Sequence, residues 1–265
     1  MVPQLKNLSR AQTLRGNCGT VNVELEPLTT LVVAPRAVAT IVATPSGDEA
    51  ALTMTVGEGA GVHLILVEVP QRGDITVEVG AGAQFTLSLI GALGAKHTFS
   101  SLVRLAGEGA NAHVQVAVVG TGQSEAELIC TVEHVARATF ARMVVRRVQN
   151  GSSFSTLRGM LKVGVTAHGT DTYLSDKALL LGEHARAISE PGLEILADDV
   201  KASHGATVGQ VSPEELFYLR SRGLPKVLAQ QLLVRAFLNS ALVGVPPEVA
   251  ASLERNLAAY VAQPA

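Results

Sequence analysis

The sequence has few aromatic residues and no tryptophan. Aromatic side chains make up 3% of its 265 residues, while hydrophobic side chains make up 47% and charged ones 17%. A chain of this length can bury a substantial core in one large domain or two small ones. Because large rings are scarce, that core must be built mainly from Val, Leu, Ala and Ile.

Cysteine is also scarce. The two cysteines, Cys18 and Cys130, are far apart and belong to no CxxC motif. This excludes a disulfide scaffold and a zinc site made mainly of thiolates within one chain. Cys130 lies in a predicted strand, whereas Cys18 is expected to precede the β region. We interpret each as a core or incidental residue.

The chain has no excess of positive charge, since its formal net charge is -2. A surface that follows a phosphate backbone needs a basic patch or stripe, so we expect no nucleic-acid binding. The densest basic cluster consists of Arg142, Arg146 and Arg147. We interpret this cluster as a solvated strand face.

Targeting and membrane-spanning segments are not recognisable. The N-terminus, MVPQLK, lacks the charged, apolar and small-residue regions of a signal peptide. No apolar run reaches the roughly 18 residues that a membrane span requires. We therefore expect a cytoplasmic protein that does not bind a membrane.

Common catalytic motifs are absent. The sequence contains no GxxxxGK[ST], no HExxH and no GxSxG. The seven histidines are widely spaced: His63, His97, His113, His134, His168, His184 and His204. We interpret a histidine taken at random as a surface or coil-edge residue. A repeating fold could still bring distant ones together on successive coils, so a composite metal site stays open.

Short segments of alternating apolar and polar residues dominate the chain from residue 20 to about 200. The clearest are 75–79, 85–89 and 114–118. Such alternation points successive side chains to opposite faces of a strand, with one face buried. The pattern therefore predicts a mainly β protein.

A G-x-G-A motif recurs at 57–60, 80–83 and 107–110, and each copy precedes a β-rich stretch. Glycine allows a positive φ at no steric cost, and the small residue after it lets neighbouring turns stack closely. Strand-only repeats of this length favour a solenoid, the parallel β-helix. The alternative is a β-sandwich joined by tight hairpins, for which only Asn150-Gly151 is a typical signal.

The apolar period changes after residue 211. Ser212, Pro213 and Glu215 form a capping box with proline at the first helical position, which predicts a helix ending at Gly223. Pro225 can open a second helix to about residue 242. Its predicted apolar face consists of Leu228, Leu232 and Ala236. A third helix, after the prolines at 246–247, would carry Val249, Leu253 and Leu257. We predict a β core over residues 1–211 and a helical segment over 212–265.

The junction between these regions contains the strongest candidate for metal chemistry. Leu193, Ile195 and Ala197 alternate as a strand, and residues 201–209 read as a polar, glycine-containing crossing into the helices. His204 lies in this crossing, near two carboxylates and an amine. A neutral imidazole there could bind iron or relay a proton, but the residues alone favour a hydrogen-bonded linker in which His204 caps a turn.

Two long stretches resemble a known family. ADDVKASHGATVGQ followed by ELFYLRSRG is closely similar to the C-terminal signature of the SufB/SufD family, on the SufD side. TVEHVARATFARMVVRRVQNGSSFSTLRGML, residues 131–161, resembles the family's β region. The clear match covers about residues 125–240. By this resemblance the chain is identified as a SufD-like member.

The resemblance implies a right-handed parallel β-helix followed by a C-terminal helical segment. It also implies a non-enzymatic scaffold subunit for iron–sulfur cluster assembly. A transient cluster would form at the interface with a SufB-like homologue or a second copy of this chain. The helical segment would dock onto a SufC-type ABC ATPase. His204 matches the SHGAT histidine that faces this interface, so the resemblance makes it a metal ligand. Flavin is associated with the family's complex, but no flavin motif is recognisable.

The chain departs from the family pattern in its thiols. Ala202 stands where many SufD members have a cysteine, and LGEHAR at 181–186 has none where the SufB side carries one. The sulfur ligands are therefore expected to come from elsewhere. Two other classes remain as alternatives: a β-solenoid carbohydrate-active enzyme and a purely structural solenoid. The first would need exposed carboxylates with aromatic sugar platforms, and the second would need no capped helical segment.

Overall fold

The computed structural model describes residues 12–247, which form sixteen β-strands followed by two α-helices. Alternate strands build two eight-stranded sheets, and every described strand pair is parallel. The odd sheet contains β1 (Gln12–Leu14), β3 (Thr29–Val33), β5 (Glu49–Val56), β7 (Arg72–Val79), β9 (Lys96–Leu105), β11 (Glu125–His134), β13 (Phe154–Val163) and β15 (Arg186–Ile195). The even sheet contains β2 (Asn17–Leu25), β4 (Val38–Pro45), β6 (Gly61–Leu66), β8 (Gln84–Leu93), β10 (Asn111–Gly120), β12 (Phe140–Gln149), β14 (Thr170–Leu180) and β16 (Val200–Gln210).

The predicted mainly β architecture is confirmed. The three segments of clearest alternation lie within β7, β8 and β10. Asn150-Gly151 joins β12 to β13, which belong to different sheets, so this dipeptide does not form a hairpin. Because each strand pairs in parallel with the strand two places along the chain, a hairpin-connected sandwich is excluded for the described residues.

The main core lies between the two sheets and is largely aliphatic. Alternate residues of each strand point into it, and Val, Leu and Ala predominate. Phe85 and Phe99 are among its largest fully buried side chains. The scarcity of rings is therefore matched by a narrow interior filled with branched and small side chains.

The G-x-G-A motifs form stacked turns. Gly59, Gly82 and Gly109 have φ values of 62°, 60° and 70°. Successive turns are joined by backbone hydrogen bonds, such as that from Gly59 N–H to the Ala81 carbonyl at 2.8 Å. A Cβ added at Gly57 would come 2.6 Å from the Pro35 nitrogen. The first glycine of the motif is thus needed for close stacking and the second for its positive φ.

The strands are followed by α1 (Pro213–Ser221) and α2 (Lys226–Asn239). The predicted N-cap is confirmed, because the Ser212 hydroxyl accepts a hydrogen bond from Glu215 N–H at 3.2 Å. Gly223 follows the end of α1 with a φ of 91°. The predicted third helix lies outside the described residues. No helix in the described part of the chain is long and apolar enough to cross a membrane.

Three details of the sequence interpretation are wrong. Cys18 does not precede the β region but lies within β2. Residues 201–209 are not a crossing loop, since they belong to the strand β16. The basic cluster is not a solvated face, because Arg146 and Arg147 are buried. Adjacent residues of a strand point to opposite faces, so one of these two arginines had to face the interior.

Candidate functional site

The last strand of each sheet has unpaired backbone groups as well as exposed side chains. β15 is the last strand of the odd sheet and β16 the last of the even sheet. Within residues 12–247, each pairs with a neighbour on one side only. We call the surface formed by these two strands the open end. Unpaired N–H and C=O groups on such strands favour pairing with another chain.

His204 lies on β16 at the open end. It is in register with Leu174 of β14, whose side chain belongs to the core between the sheets. Side chains alternate along a strand, so His204 is on the interior-facing side of β16. No further strand covers it within the described residues, and its side chain is exposed. The imidazole is therefore available to a chain that packs on the open end.

The neighbours of His204 do not complete a metal site by themselves. Ala202 and Ala206 share its face of the strand, while Ser203 and Lys201 lie on the other. The described residues contain no group of three or more His, Cys, Asp or Glu side chains able to hold a metal ion. As predicted from the sequence, Ser203 and His204 point to opposite faces and cannot act as a nucleophile–base pair. Any iron bound by His204 would need further ligands from outside the described residues.

The two cysteines of this chain do not supply those ligands at the open end. Cys130 is fully buried in β11, two strands from the edge of its sheet. Burial raises the pKa of its thiol to about 11, with smaller effects from Ser101, Asp176 and Arg147. Cys18 lies on β2, the strand at the opposite edge of the even sheet from β16. The sequence interpretation of Cys130 as a core residue is confirmed.

A buried polar cluster lies in the last layers beneath the open end. Arg147 donates to Asp176 through Nη2 at 2.6 Å and through Nε at 3.2 Å, and both side chains are completely buried. Arg147 also donates to the Ser155 hydroxyl at 3.0 Å and the Ser189 hydroxyl at 2.8 Å. Because Ser189 belongs to β15, the cluster ties the edge strand to the interior. Its charges are satisfied by these bonds, as burial requires.

The helical segment is fixed to the outer face of the even sheet. Val234 and Leu238 of α2 are buried against an apolar patch formed by Ile65, Ile90, Ala117, Val119 and Val148. Arg146 donates through Nε to the Ser240 hydroxyl at 3.0 Å, and its guanidinium lies 5.9 Å from the ring centroid of Phe237. Arg146 thus serves as a bridge between strand and helix.

A hydrogen-bonded series of polar side chains also attaches the segment that follows α2 to the even sheet. The Gln115 amide donates to the Val243 carbonyl at 3.1 Å, and Val243 N–H donates to Gln115 Oε1 at 3.2 Å. Ser88 donates to the same Oε1 at 3.0 Å, and His63 Nε2 lies 2.8 Å from the Ser88 hydroxyl. Burial lowers the pKa of His63, against a weaker opposing effect of the Gly244 backbone.

The helical segment also has exposed apolar side chains. We call these residues together the helical face: Phe217, Tyr218, Val227, Leu228, Leu232 and Val243. The predicted apolar row at Leu228, Leu232 and Ala236 does not pack on the sheet, because all three side chains are exposed. The buried side of α2 is instead formed by Ala229, Val234 and Leu238.

Six of the seven histidines are clearly exposed or clearly buried. His113, His168, His184 and His204 are exposed. His97 and His134 are buried, and they lie near the start of β9 and at the end of β11, so they are strand-end residues and not surface residues. Burial lowers the pKa of His134 to about 4, and its Nδ1 lies 2.8 Å from the Thr139 hydroxyl.

The described residues thus form two parallel sheets with His204 on an unpaired edge strand, together with a helical segment that carries exposed apolar side chains. A family model described as "SUF system FeS cluster assembly, SufBD core domain" matches residues 17–237. The chain belongs to this SufBD family, as the resemblance predicted.

Individual relatives agree with this assignment. An iron–sulfur cluster assembly SufBD family protein of Mycobacterium leprae is 34% identical over 181 residues, which are 68% of this chain and 20% of that protein. The iron–sulfur cluster assembly protein SufD of Escherichia coli is 39% identical over 106 residues, 40% of this chain and 25% of that protein. SufD of Bacillus subtilis is 33% identical over 144 residues, 54% of this chain and 33% of that protein. The match thus spans a third or less of each relative.

Proposed function

We propose that this chain is a SufD-like scaffold subunit on which iron–sulfur clusters are assembled, and that it is not itself an enzyme. The observation that carries the proposal is the position of His204, exposed on the interior-facing side of an unpaired edge strand. A scaffold needs a ligand that a partner can complete. Membership of the SufBD family supports the chemistry, and the exposed edge strands support its location at the open end.

The nascent cluster would be cargo held between two subunits. Imidazole binds iron well, and a site made from one histidine plus thiolates of another protein can hold a cluster loosely enough to release it. Because Cys130 is buried and Cys18 lies at the other edge of its sheet, those thiolates would come from a SufB-like partner. This role requires no flavin site on this chain, and flavin binding stays untested.

We propose that the two sheets wind as a right-handed parallel β-helix, the handedness that parallel strand connections almost always take. The last turn of this solenoid would pair with the last turn of the partner. Both subunits would then continue each other's sheets across the interface. A cytoplasmic location, as expected from the sequence, suits such an assembly.

The helical face would dock onto a SufC-type ATPase. Its exposed apolar side chains are those of a helix that lays one face into a hydrophobic groove. The other side of α2 is anchored by Val234 and Leu238, so a movement of the docked ATPase could be transmitted to the sheet. ATP hydrolysis in that subunit would thereby reshape the open end.

A pull-down of the ATPase tests the proposal directly. Wild-type chain should recover the SufC-type ATPase of its own genome, and Leu228→Asp with Leu232→Asp should abolish recovery, because charges in a buried interface are costly. Leu28→Asp is the matched control, since Leu28 is also an exposed apolar residue, at 84%, but lies far along the chain in the β2–β3 connection. Failure of the wild type, under conditions where a known family member succeeds, would refute the proposed function.

A further inference from the structure

The outer face of the odd sheet carries a column of alternating charges that ends at the open end. Five residues in register on successive strands form this column: Glu78, Arg104, Glu133, Lys162 and Glu194. Arg104 Nε lies 3.1 Å from Glu133 Oε2, and Lys162 Nζ lies 3.9 Å from both Glu133 and Glu194. Within this column, acidic and basic residues alternate from each strand of the odd sheet to the next, from β7 to β15.

A second column ends in the same way. Arg158 of β13 is in register with Glu190 of β15, and its Nε lies 2.9 Å from Glu190 Oε2. Arg158 also pairs with Glu127 of β11, which lies two residues out of register with it, since the register partner of Arg158 on β11 is Ile129. Both columns therefore reach the edge strand with a carboxylate, at Glu190 and at Glu194.

These two carboxylates are neutralised from one side only. Their cations, Arg158 and Lys162, lie on β13, while the other side of β15 is the unpaired edge. The side chains of Glu190 and Glu194 are 51% and 54% exposed. Four residues separate them on one face of the strand, a distance of about 13 Å.

We propose that the strand pairing with β15 carries two basic side chains four residues apart on its outer face, placed opposite Glu190 and Glu194. This deepens the proposed function, on which it rests, by stating which kind of edge the partner must present. The added strand would place a positive charge next to each terminal carboxylate and so continue both columns. Opposite charges facing each other across a sheet are favourable, and like charges are not.

A second copy of this chain fits the requirement poorly. The outer face of β15 consists of Arg186, Ile188, Glu190, Gly192 and Glu194. It offers one base against two acids, so no register of β15 with another β15 gives both carboxylates a cation. The charge pattern therefore selects a distinct partner by penalising self-pairing.

Binding to the natural partner is the first test. The probe is a SufB-like homologue from the same organism, titrated with this chain in the presence of a SufC-type ATPase. Glu190→Lys with Glu194→Lys should weaken binding at least about tenfold. Asp74→Lys with Glu78→Lys is the matched control, because these acids occupy the same two columns on β7, away from the edge. The control should bind as wild type, and all three chains should still recover the ATPase.

The outcomes separate the two proposals. Equal binding by the wild type and by the double variant E190K/E194K would overturn the charge proposal and leave the scaffold role intact. A wild-type chain that recovers neither homologue nor ATPase would refute the scaffold role itself. Salt should weaken the wild-type complex more than the variant complex, since screening acts on the attraction that only the wild type makes.

A charge-swapped copy provides a second measurement that needs no natural partner. The E190K/E194K chain presents two lysines four residues apart, so it mimics the required edge. Sedimentation should show that it associates with wild type more tightly than either chain associates with itself, by at least about tenfold at low salt. The D74K/E78K chain should not. Equal association in all mixtures would overturn the proposal.

Discussion

Arg147 and Asp176 form a completely buried ion pair between the two sheets, with the guanidinium also bonded to Ser189 of the edge strand. Removing one partner leaves the other charge buried without compensation. We therefore expect Asp176→Ala to lower the free energy of unfolding by about 3–5 kcal/mol. Chemical denaturation of the whole chain measures this change.

The exposed pair Arg142–Asp171 is the matched control for this prediction. It lies on the outer face of the even sheet, with side chains 29% and 41% exposed. Asp171→Ala should cost no more than about 1 kcal/mol. The double variant Arg147→Met with Asp176→Leu should recover most of the stability, because an apolar replacement of both charges avoids the desolvation cost. Equal effects of Asp176→Ala and Asp171→Ala would contradict this account.

Much of the fold could be predicted because the signals are local and repeated. Alternation predicts strands, the G-x-G-A motif predicts stacked turns, and Ser212 with Glu215 predicts the start of α1. Basic residues are usually exposed, so composition alone does not predict a buried arginine, although adjacent Arg146 and Arg147 on one strand require one of the two to face inward. The side of α2 that packs on the sheet is not evident from the sequence, because this helix has apolar residues on two sides.

The candidate site was harder to predict than the fold. The motif locates His204, but the glycine and polar residues around it are typical of turns and predict a loop for this segment. The structure makes it an edge strand, whose apolar alternation is absent because no further strand within the described residues covers it. The charged columns were invisible in the sequence, since their members are about 30 residues apart and meet only through the strand register.

His204 should be needed for cluster formation and not for folding. The exposed imidazole makes no contact on which the core depends, so His204→Ala should unfold at the wild-type temperature and still bind the ATPase. Cluster formation by the reconstituted complex, followed by visible absorbance, should fall by roughly tenfold or more, as expected when a metal ligand is lost. His168→Ala is the control, because His168 is also exposed but lies in the turn before β14. Wild-type cluster yield in His204→Ala would remove this residue from the mechanism.

His134 should make stability fall in mild acid. Burial lowers its pKa from 6.5 to about 4 in the folded chain, so the unfolded chain binds the proton first as the pH drops. The folded state therefore loses stability between about pH 6.5 and 4, by about 3 kcal/mol from this residue, and loses nothing from it above about pH 7.5. Denaturation measured at several pH values gives the free energy of unfolding at each. Between about pH 6.5 and 4 this free energy should fall less with decreasing pH in His134→Asn than in the wild type. An equal slope for His134→Asn and wild type would contradict the prediction.

The two cysteines should differ sharply in reactivity. The thiol of Cys130 has its pKa raised to about 11 by burial, so about one molecule in a thousand carries a thiolate there at about pH 8, and the core blocks access to it. Cys18 is only partly buried, on β2 near the start of the described chain. Iodoacetamide should therefore modify one thiol per folded chain and the second only after unfolding. Cys18→Ser should remove the fast reaction, and Cys130→Ser should leave it unchanged. Rapid labelling of the folded Cys18→Ser chain would show that the Cys130 thiol is reachable, so that a partner would not be needed to supply every sulfur ligand.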